Sequence, residues 1–189
     1  MAKLKFGKQK RRINYDLLKK ILTWSVEIIA VCAVAFILVW YFGMRVGVIG
    51  DSMKPRLSNG DVTLVNRLVY DMSTPKRGDV IAFKPKGNEA AHHYIKRVIG
   101  LPGETIEVKK GKIVVDGKEI KENYETTAIE ELGTLEKPIT LGENEYFVLG
   151  DDRQNSEDSR YEDVGNVKRS DISGKVWFVI SGKHFGFVK

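Results

Sequence analysis

The stretch ETIEVKKGKIVVDGKEI, residues 104–120, predicts the fold class of the chain. Its β-branched residues alternate with charged ones, a pattern typical of strands that bury one face. The chain has turn signals at Lys110-Gly111 and Asp116-Gly117, and Asp-Gly between alternating runs is a strong hairpin signal. The stretch therefore predicts successive antiparallel strands.

Similar short runs lie on both sides of this stretch, separated by Gly, Pro and Asp. They occupy residues 61–70, 78–85, 93–101, 144–150 and 175–180. Residues 121–140 are polar and have no clear period, so we predict a loop or insertion there. The predicted fold class is mainly β, with one transmembrane helix.

The transmembrane helix is predicted at residues 21–42, ILTWSVEIIAVCAVAFILVWYF, which contain one charged residue, Glu27. A helix of this length is roughly 33 Å long, enough for a bilayer core of about 30 Å. Trp24 lies near one end and Trp40 at the other, as in interfacial aromatic belts. The alternatives are a buried core helix and a cleaved signal peptide. The apolar region exceeds the usual 7–15 residues of a signal peptide and ends in bulky residues, so we favour an uncleaved signal anchor.

The formal charge of +6 is concentrated in the first twenty residues, which hold eight basic residues and one acid. The remainder is nearly neutral, whereas a nucleic-acid-binding domain should carry a basic face. We therefore expect no nucleic-acid partner. The basic tail, residues 1–20, predicts a cytoplasmic N-terminus and an extracytoplasmic domain at residues 43–189. The single cysteine, Cys32, lies inside the span, so this domain has no disulfide.

A candidate nucleophile, Ser52, follows the span in VIGDSMKPRL, residues 48–57. A serine hydroxyl is a poor nucleophile near neutral pH and needs an adjacent base. The three histidines, His92, His93 and His184, have no aspartate marked out by the sequence to orient them. A Ser-His-Asp triad therefore stays an alternative to ordinary surface histidines.

Lys96 is the other candidate base. Strand alternation in HYIKRVIG places Lys96 on one face with Tyr94 and Val98, and Arg97 on the other face. An unperturbed lysine is neutral for only about 0.04% of the time at pH 7, but burial lowers the pKa of a lysine by up to 3–5 units. A Ser/Lys pair therefore requires Lys96 to be buried against apolar groups. On spacing alone, a surface lysine remains the alternative.

A cluster of polar residues follows later in the chain, GDDRQNSEDSR at residues 150–160. Its acidic residues could form a cation site, but their spacing does not match a calcium-binding loop, so we expect no metal. A solvated loop with an internal pair between Asp158 and Arg160 is the simpler interpretation.

Four motifs together resemble the type I signal peptidases, the membrane Ser/Lys proteases, especially the single-span forms of Gram-positive bacteria. The motifs are GDSMKPRL, KRGDVIAFK (76–84), YIKRVIGLPGE (94–104) and GDDRQNSEDSR. They occur in the order of the family and cover the start, middle and end of the domain. The resemblance implies the family's antiparallel β-sheet domain behind one transmembrane helix, and no cofactor.

The resemblance also implies roles for individual residues. Ser52 would be the nucleophile, Lys96 the general base, and Ser156 the serine that hydrogen-bonds and orients the lysine. Asp158 and Arg160 would form a structural ion pair that holds the loop beside the site. Asp151 and Arg153 would support the same loop.

The chain departs from the family pattern at two positions, Arg56 and Asp51, of which Asp51 puts a charge immediately before the nucleophile at a position that varies in the family. Gly50 stands where some members supply a hydroxyl to the oxyanion hole, so the second donor is open, and Gly50 would instead allow close approach of the substrate. The backbone N–H of Ser52 would be the first donor. Arg56 stands where threonine is usual; it would disturb the turn, point to solvent or pair with a phospholipid headgroup.

The implied activity is removal of signal peptides from exported preproteins, by cleavage after a small-x-small motif through an acyl-enzyme. The expected partners are preproteins and membrane phospholipid. The rivals are a self-cleaving Ser/Lys repressor, which would need a DNA-binding domain in place of the span, and a non-catalytic membrane-anchored β domain acting as a scaffold. The sequence carries no signal for the oligomeric state.

Overall fold

The computed structural model describes residues 14–181 and 184–188. Most of the predicted basic tail, residues 1–13, lies outside this range. The chain divides into two units, Met1–Leu38 and Val39–Lys189. Within the described residues two α-helices and twelve strands are formed, and they are, in chain order: α1 Tyr15–Phe42, β1 Met44–Gly47, β2 Val62–Asn66, α2 Leu68–Met72, β3 Val80–Phe83, β4 Tyr94–Gly100, β5 Thr105–Lys109, β6 Lys112–Val115, β7 Lys118–Glu119, β8 Ile139–Thr140, β9 Glu145–Leu149, β10 Val167–Lys168, β11 Ile172–Val179 and β12 Gly186–Phe187.

Helix α1 begins six residues before the predicted span and ends at its last residue. It is long and apolar enough to cross a bilayer, and none of its residues is buried within the protein. This exposure differs from that of a core helix in a soluble protein, whose apolar face is covered. The described part of the chain thus has one N-terminal apolar helix followed by a β domain, which confirms the predicted fold class.

The strands form two antiparallel sheets. The larger has the order β1-β2-β11-β3-β4-β9-β10, with β12 paired to β11, and the smaller has the order β7-β6-β5-β8. The predicted hairpins of residues 104–120 are β5, β6 and β7, and Lys110, Gly111, Asp116 and Gly117 all have positive φ angles. This is the backbone conformation that two-residue hairpin loops require.

The structure corrects the strand predicted over residues 61–70. Only Val62–Asn66 is a strand, and Leu68–Met72 forms the short helix α2. The side chain of Asn66 accepts a hydrogen bond from the N–H of Val69 at 3.1 Å, and the ring of Tyr70 is buried. A side-chain bond of this kind competes with the strand ladder and starts a turn.

The predicted loop at residues 121–140 is largely irregular, but it contains a short 3₁₀ helix and ends in strand β8. Buried Ile129 and Leu135 pack from this segment into the core below the smaller sheet. A separate core lies below the larger sheet and includes Met53 and Leu57, which are almost fully buried. These two anchors fix the loop between β1 and β2.

Candidate active site

Ser52 and Lys96 lie next to each other although they are 44 positions apart in the sequence. Ser52 lies in the loop between β1 and β2, and Lys96 is the third residue of β4. The Lys96 Nζ atom lies 2.6 Å from the Ser52 Oγ atom. This distance suits a hydrogen bond in which the ammonium donates when charged and the serine hydroxyl donates when the amine is neutral.

The loop that carries Ser52 is held at both ends. The Val48 N–H donates to the Asp61 carbonyl at 2.8 Å, and the Gly60 N–H donates to the Val48 carbonyl at 3.0 Å. Met53, directly after Ser52, is 1% exposed and also lines the cleft beside it. The serine is therefore presented by a loop that its apolar neighbours pin to the core.

Lys96 is buried by the domain itself, with 4% of its surface exposed. Its partner across the ladder is Ile81, so their side chains share a face of the sheet. Burial lowers the pKa of Lys96 to about 8, while the nearby carboxylates of Asp158 and Glu157 act in the opposite direction. Roughly a tenth of the lysine is then neutral at pH 7, several hundred times more than for a solvated lysine.

The loop of residues 150–160 lies directly against the serine. The Asp152 N–H donates to the Ser52 carbonyl at 3.0 Å. A Cβ atom added at Gly150 would come within 2.5 Å of that same carbonyl oxygen and would run into the Ser156 side chain. Glycine is therefore the residue that lets this loop approach Ser52 so closely.

Ser156 lines the same cleft as Ser52 and Lys96 and is 6% exposed. Its Oγ atom is buried, and within the described residues it has no hydrogen-bond partner. The hydrogen bond to Lys96 that the sequence resemblance implies is thus not formed in this structure. A buried hydroxyl without a partner costs about 1–3 kcal/mol, so this atom marks a position where a partner is needed.

Asp158 and Arg160 form a fully buried ion pair. The Arg160 Nε atom lies 2.8 Å from the Asp158 Oδ1 atom, and a second nitrogen lies 3.0 Å from Oδ2. The same carboxylate accepts the Gly150 N–H at 3.1 Å, and Arg160 also donates to the Arg153 carbonyl at 2.7 Å. The pair therefore ties the two ends of the loop together.

Asp151 has a partner that the sequence does not single out. Its two carboxylate oxygens accept bonds of 2.7 and 2.6 Å from Arg97, and both side chains are 1% exposed. The guanidinium of Arg97 also lies 4.0 Å from the ring centre of Tyr124. Strand alternation places Arg97 opposite Lys96, but that face is buried as well. The remaining arginine of the loop, Arg153, donates to the Gly150 carbonyl at 2.8 Å and contacts Glu122.

The residues before Ser52 bear on the oxyanion hole. Gly50 has a φ of +80°, and its N–H is used in a 3.1 Å bond to the side chain of Asn59. Its N–H is therefore not available to an oxyanion. Within the described residues, the N–H of Ser52 has no acceptor in the protein. It is thus available to substrate.

Arg56 neither breaks the turn nor extends freely into solvent. Its guanidinium donates to the Phe187 carbonyl in β12 at 2.8 Å. His184, just before β12, lies 3.1 Å from the Asp61 carboxylate at the end of the same loop. Two side-chain contacts therefore connect the serine loop with the C-terminal segment.

The three histidines, all within the described residues, form no hydrogen bond with Ser52. His93 contacts the Ser173 hydroxyl at 3.0 Å, His92 stacks on Tyr94, and His184 contacts Asp61. A Ser-His-Asp arrangement around Ser52 is absent from this part of the chain. The described residues also contain no group of three or more metal-ligating side chains.

The cleft at Ser52 has a volume of about 630 Å³. Its walls come from the serine loop, the start of β4 and the loop of residues 150–160. A larger cavity of about 1050 Å³ lies against Arg97 and Asp151, but Ser52 and Lys96 do not line it. The smaller cleft is therefore the one that brings the candidate chemistry together.

Comparisons with known proteins agree on one family. The family model described as signal peptidase, peptidase S26, matches residues 21–181. A signal peptidase I P of Bacillus subtilis subsp. natto is 36% identical over 176 residues, which cover 89% of this chain and 91% of that protein. A signal peptidase I of Bacillus caldolyticus is 40% identical over 161 residues, which cover 79% of this chain and 85% of that protein. A crystal structure of a signal peptidase I from Enterococcus faecalis V583 matches with a TM-score of 0.45 and 34% identity, over 55% of this chain and 97% of that one.

Proposed function

The chain belongs to the peptidase S26 family of signal peptidases, and we propose that it cleaves preproteins with Ser52 as nucleophile and Lys96 as general base. The family makes it a serine endopeptidase that removes signal peptides. The comparisons do not favour the alternative of a non-catalytic scaffold. The observation that carries the residue assignment is the 2.6 Å contact between a buried Lys96 Nζ and the Ser52 Oγ.

In the acylation step, neutral Lys96 takes the proton of the Ser52 hydroxyl while Oγ attacks the carbonyl carbon at the cleavage site. The N–H of Ser52 donates to the oxyanion that forms. The protonated Lys96 then gives its proton to the leaving amine, which becomes the N-terminus of the mature protein. The signal peptide remains attached to Ser52 as an ester.

In the second step, Lys96, neutral again, takes a proton from a water molecule that attacks the ester. The signal peptide leaves with a free carboxyl group, and the proton returns to Ser52. Asp158 and Arg160 hold the loop that forms one wall of the cleft beside Lys96. The proposal keeps Ser156 as the residue that would orient the lysine amine, since it lines the same cleft and its buried hydroxyl has no other partner among the described residues.

The membrane arrangement is part of the proposal. The basic residues before α1 support a cytoplasmic N-terminus, residues 21–42 span the bilayer, and residues 43–189 form the extracytoplasmic catalytic domain. Phospholipid is then a partner through α1. In this topology the cleft meets signal peptides on the outer side, where their small-x-small motif leaves the bilayer.

The test uses the full-length chain in detergent and a defined preprotein with a small-x-small motif. We expect Ser52→Ala and Lys96→Ala each to lower kcat/KM by at least roughly 1000-fold, with an unchanged circular dichroism spectrum. Lys54→Ala is the matched control, because Lys54 lies near Ser52 but pairs with Asp51 at the exposed surface. Cleavage at the wild-type rate by either Ala variant of the pair would rule out the assignment.

A further inference from the structure

Glu27 is the only charged residue in the apolar segment of residues 21–42. It lies in α1, and its side chain is exposed. An ionisable side chain inside a bilayer is costly and usually marks a functional contact. The mechanism at Ser52 gives this carboxyl group no role.

The helix itself does not provide a partner. The two other polar side chains of this region are satisfied by the preceding turn, since Thr23 donates to the Lys19 carbonyl at 3.0 Å and Ser25 to the Ile21 carbonyl at 2.8 Å. Among the residues that the structure describes, the side chain of Glu27 has no hydrogen bond or ion pair. Lys20, the nearest basic residue before it in α1, is two turns away, about 10 Å along the axis. The described part of the chain therefore leaves this carboxyl group open to a partner from another molecule in the membrane.

The position of Glu27 matches the dimensions of a signal peptide. Glu27 is fifteen residues before Phe42, about 22 Å along the helix. A signal peptide has a basic N-terminal region followed by an apolar region of about 7–15 residues, which spans about 10–22 Å as a helix, so the longest apolar regions match this distance. When such an apolar region lies beside α1 and ends at the level of Phe42, its last basic residue is at the level of Glu27.

The charges of α1 and of a signal peptide are complementary as well. Both α1 and a signal peptide enter the bilayer with a basic flank on the cytoplasmic side. Lys19 and Lys20 repel the basic region of the signal peptide, whereas the Glu27 carboxylate attracts it. A second copy of α1 would instead place two Glu27 carboxyl groups together.

We propose that Glu27 is a specificity-determining residue that binds the basic N-terminal region of the signal peptide within the membrane. This proposal rests on the proposed function, because the ligand is the substrate of the Ser52 site. The face of α1 around Glu27 then receives the apolar region of the signal peptide.

The test uses the full-length chain in phospholipid vesicles and two preproteins that differ only in lysines or glutamines in the basic region. For the wild type we expect kcat/KM to favour the lysine form by roughly 3- to 20-fold, through KM, as for polar contacts between membrane helices. Glu27→Gln should bring this ratio close to one, and Glu27→Asp should keep it above one. Glu27→Lys should instead cleave a third preprotein, which has glutamates in place of the lysines, with a higher kcat/KM than the lysine form. Ser25→Ala is the control and should keep the wild-type ratio.

Each possible result either supports or overturns the proposed role of Glu27. A wild-type ratio close to one, or a ratio that Glu27→Gln leaves unchanged, overturns the proposal. An equal loss on the lysine and glutamine forms does so too, because it points to a contact with a second copy or another membrane protein. If the wild type cleaves neither preprotein, the proposed function itself fails, which is a different outcome from cleavage without charge preference.

Discussion

Lys96 and Arg97 are consecutive residues of β4 with almost fully buried side chains, yet among the described residues only Arg97 is paired with a carboxylate. The two-point contact with Asp151 compensates the charge of Arg97. Lys96 has the Ser52 hydroxyl instead, and burial lowers its pKa to about 8. One strand thus carries a structural cation on one face and a titratable base on the other.

This difference predicts that Lys96 destabilises the folded protein. The pKa of Lys96 is lower in the folded than in the unfolded chain, so the folded state binds fewer protons between about pH 8 and 10.5, and stability rises with pH in that range. At pH 7, Lys96→Met removes the cost of the buried charge, which should raise the free energy of unfolding by about 3 kcal/mol. It also removes the hydrogen bond to Ser52, which should lower it by about 1 kcal/mol. Urea titrations at several pH values measure this.

The control for that experiment is Arg97→Met. It leaves the Asp151 carboxylate buried without its partner, so we expect it to lower the free energy of unfolding by about 3–5 kcal/mol. A less stable Lys96→Met, or a stability difference that does not shrink toward pH 10.5, would contradict the burial argument.

The pH dependence of cleavage reports the same group. If neutral Lys96 is the base, as proposed, kcat/KM should fall about tenfold for each pH unit below about 8 and level off above it. Thermal unfolding curves over the same range separate titration from loss of structure. A base that titrates near 10 would show that Lys96 is solvated in the working enzyme.

Gly150→Ala should reduce activity far more than stability. The added methyl group would sit 2.5 Å from the Ser52 carbonyl oxygen, so the loop of residues 150–160 must move away from the serine. We expect a fall in kcat of roughly 100-fold, since a displacement of about 1 Å at reacting groups has an effect of that size. Gly47→Ala is the control, because an added Cβ atom there meets nothing within 4 Å and the backbone is not left-handed. Cleavage by Gly150→Ala within twofold of wild type would mean that the close contact does not matter.

Arg56→Thr restores the residue usual in the family and removes the bond to the Phe187 carbonyl. We expect the free energy of unfolding to drop by about 1 kcal/mol, the usual value of one such hydrogen bond, and kcat/KM to change less than about threefold. Arg45→Thr, at an exposed position of β1, is the comparison. If Arg56→Thr instead abolished cleavage, Arg56 would act on the chemistry of the site.

The parts of the fold that depend on residues close together in the sequence could be predicted from the sequence. The hairpins at Lys110-Gly111 and Asp116-Gly117 follow from turn chemistry, and α1 follows from the length of its apolar run. The strand predicted through residue 70 is wrong because a single side chain, that of Asn66, starts a turn in the middle of a β-favouring run.

The same distinction applies to the site. The pair of Asp158 with Arg160 joins residues two positions apart, and the sequence motif already places them together. The pair of Arg97 with Asp151 joins residues 54 positions apart, and strand alternation shows only that Arg97 faces away from Lys96. Whether that face of β4 is exposed to solvent or buried depends on how the sheets and loops pack. A local sequence pattern does not predict this packing.

The order of strands in the larger sheet has a consequence for how the candidate site is assembled. Ser52 lies in the loop before β2, and Lys96 is in β4, next to β3, but β2 and β3 are joined in the sheet through β11, the strand of Ile172–Val179. A chain in which Ile172–Val179 has not yet paired therefore lacks the strand that links the Ser52 loop to the strand of Lys96. The candidate site thus depends on a segment far downstream of both of its central residues, and a fragment that ends before β11 should not assemble it.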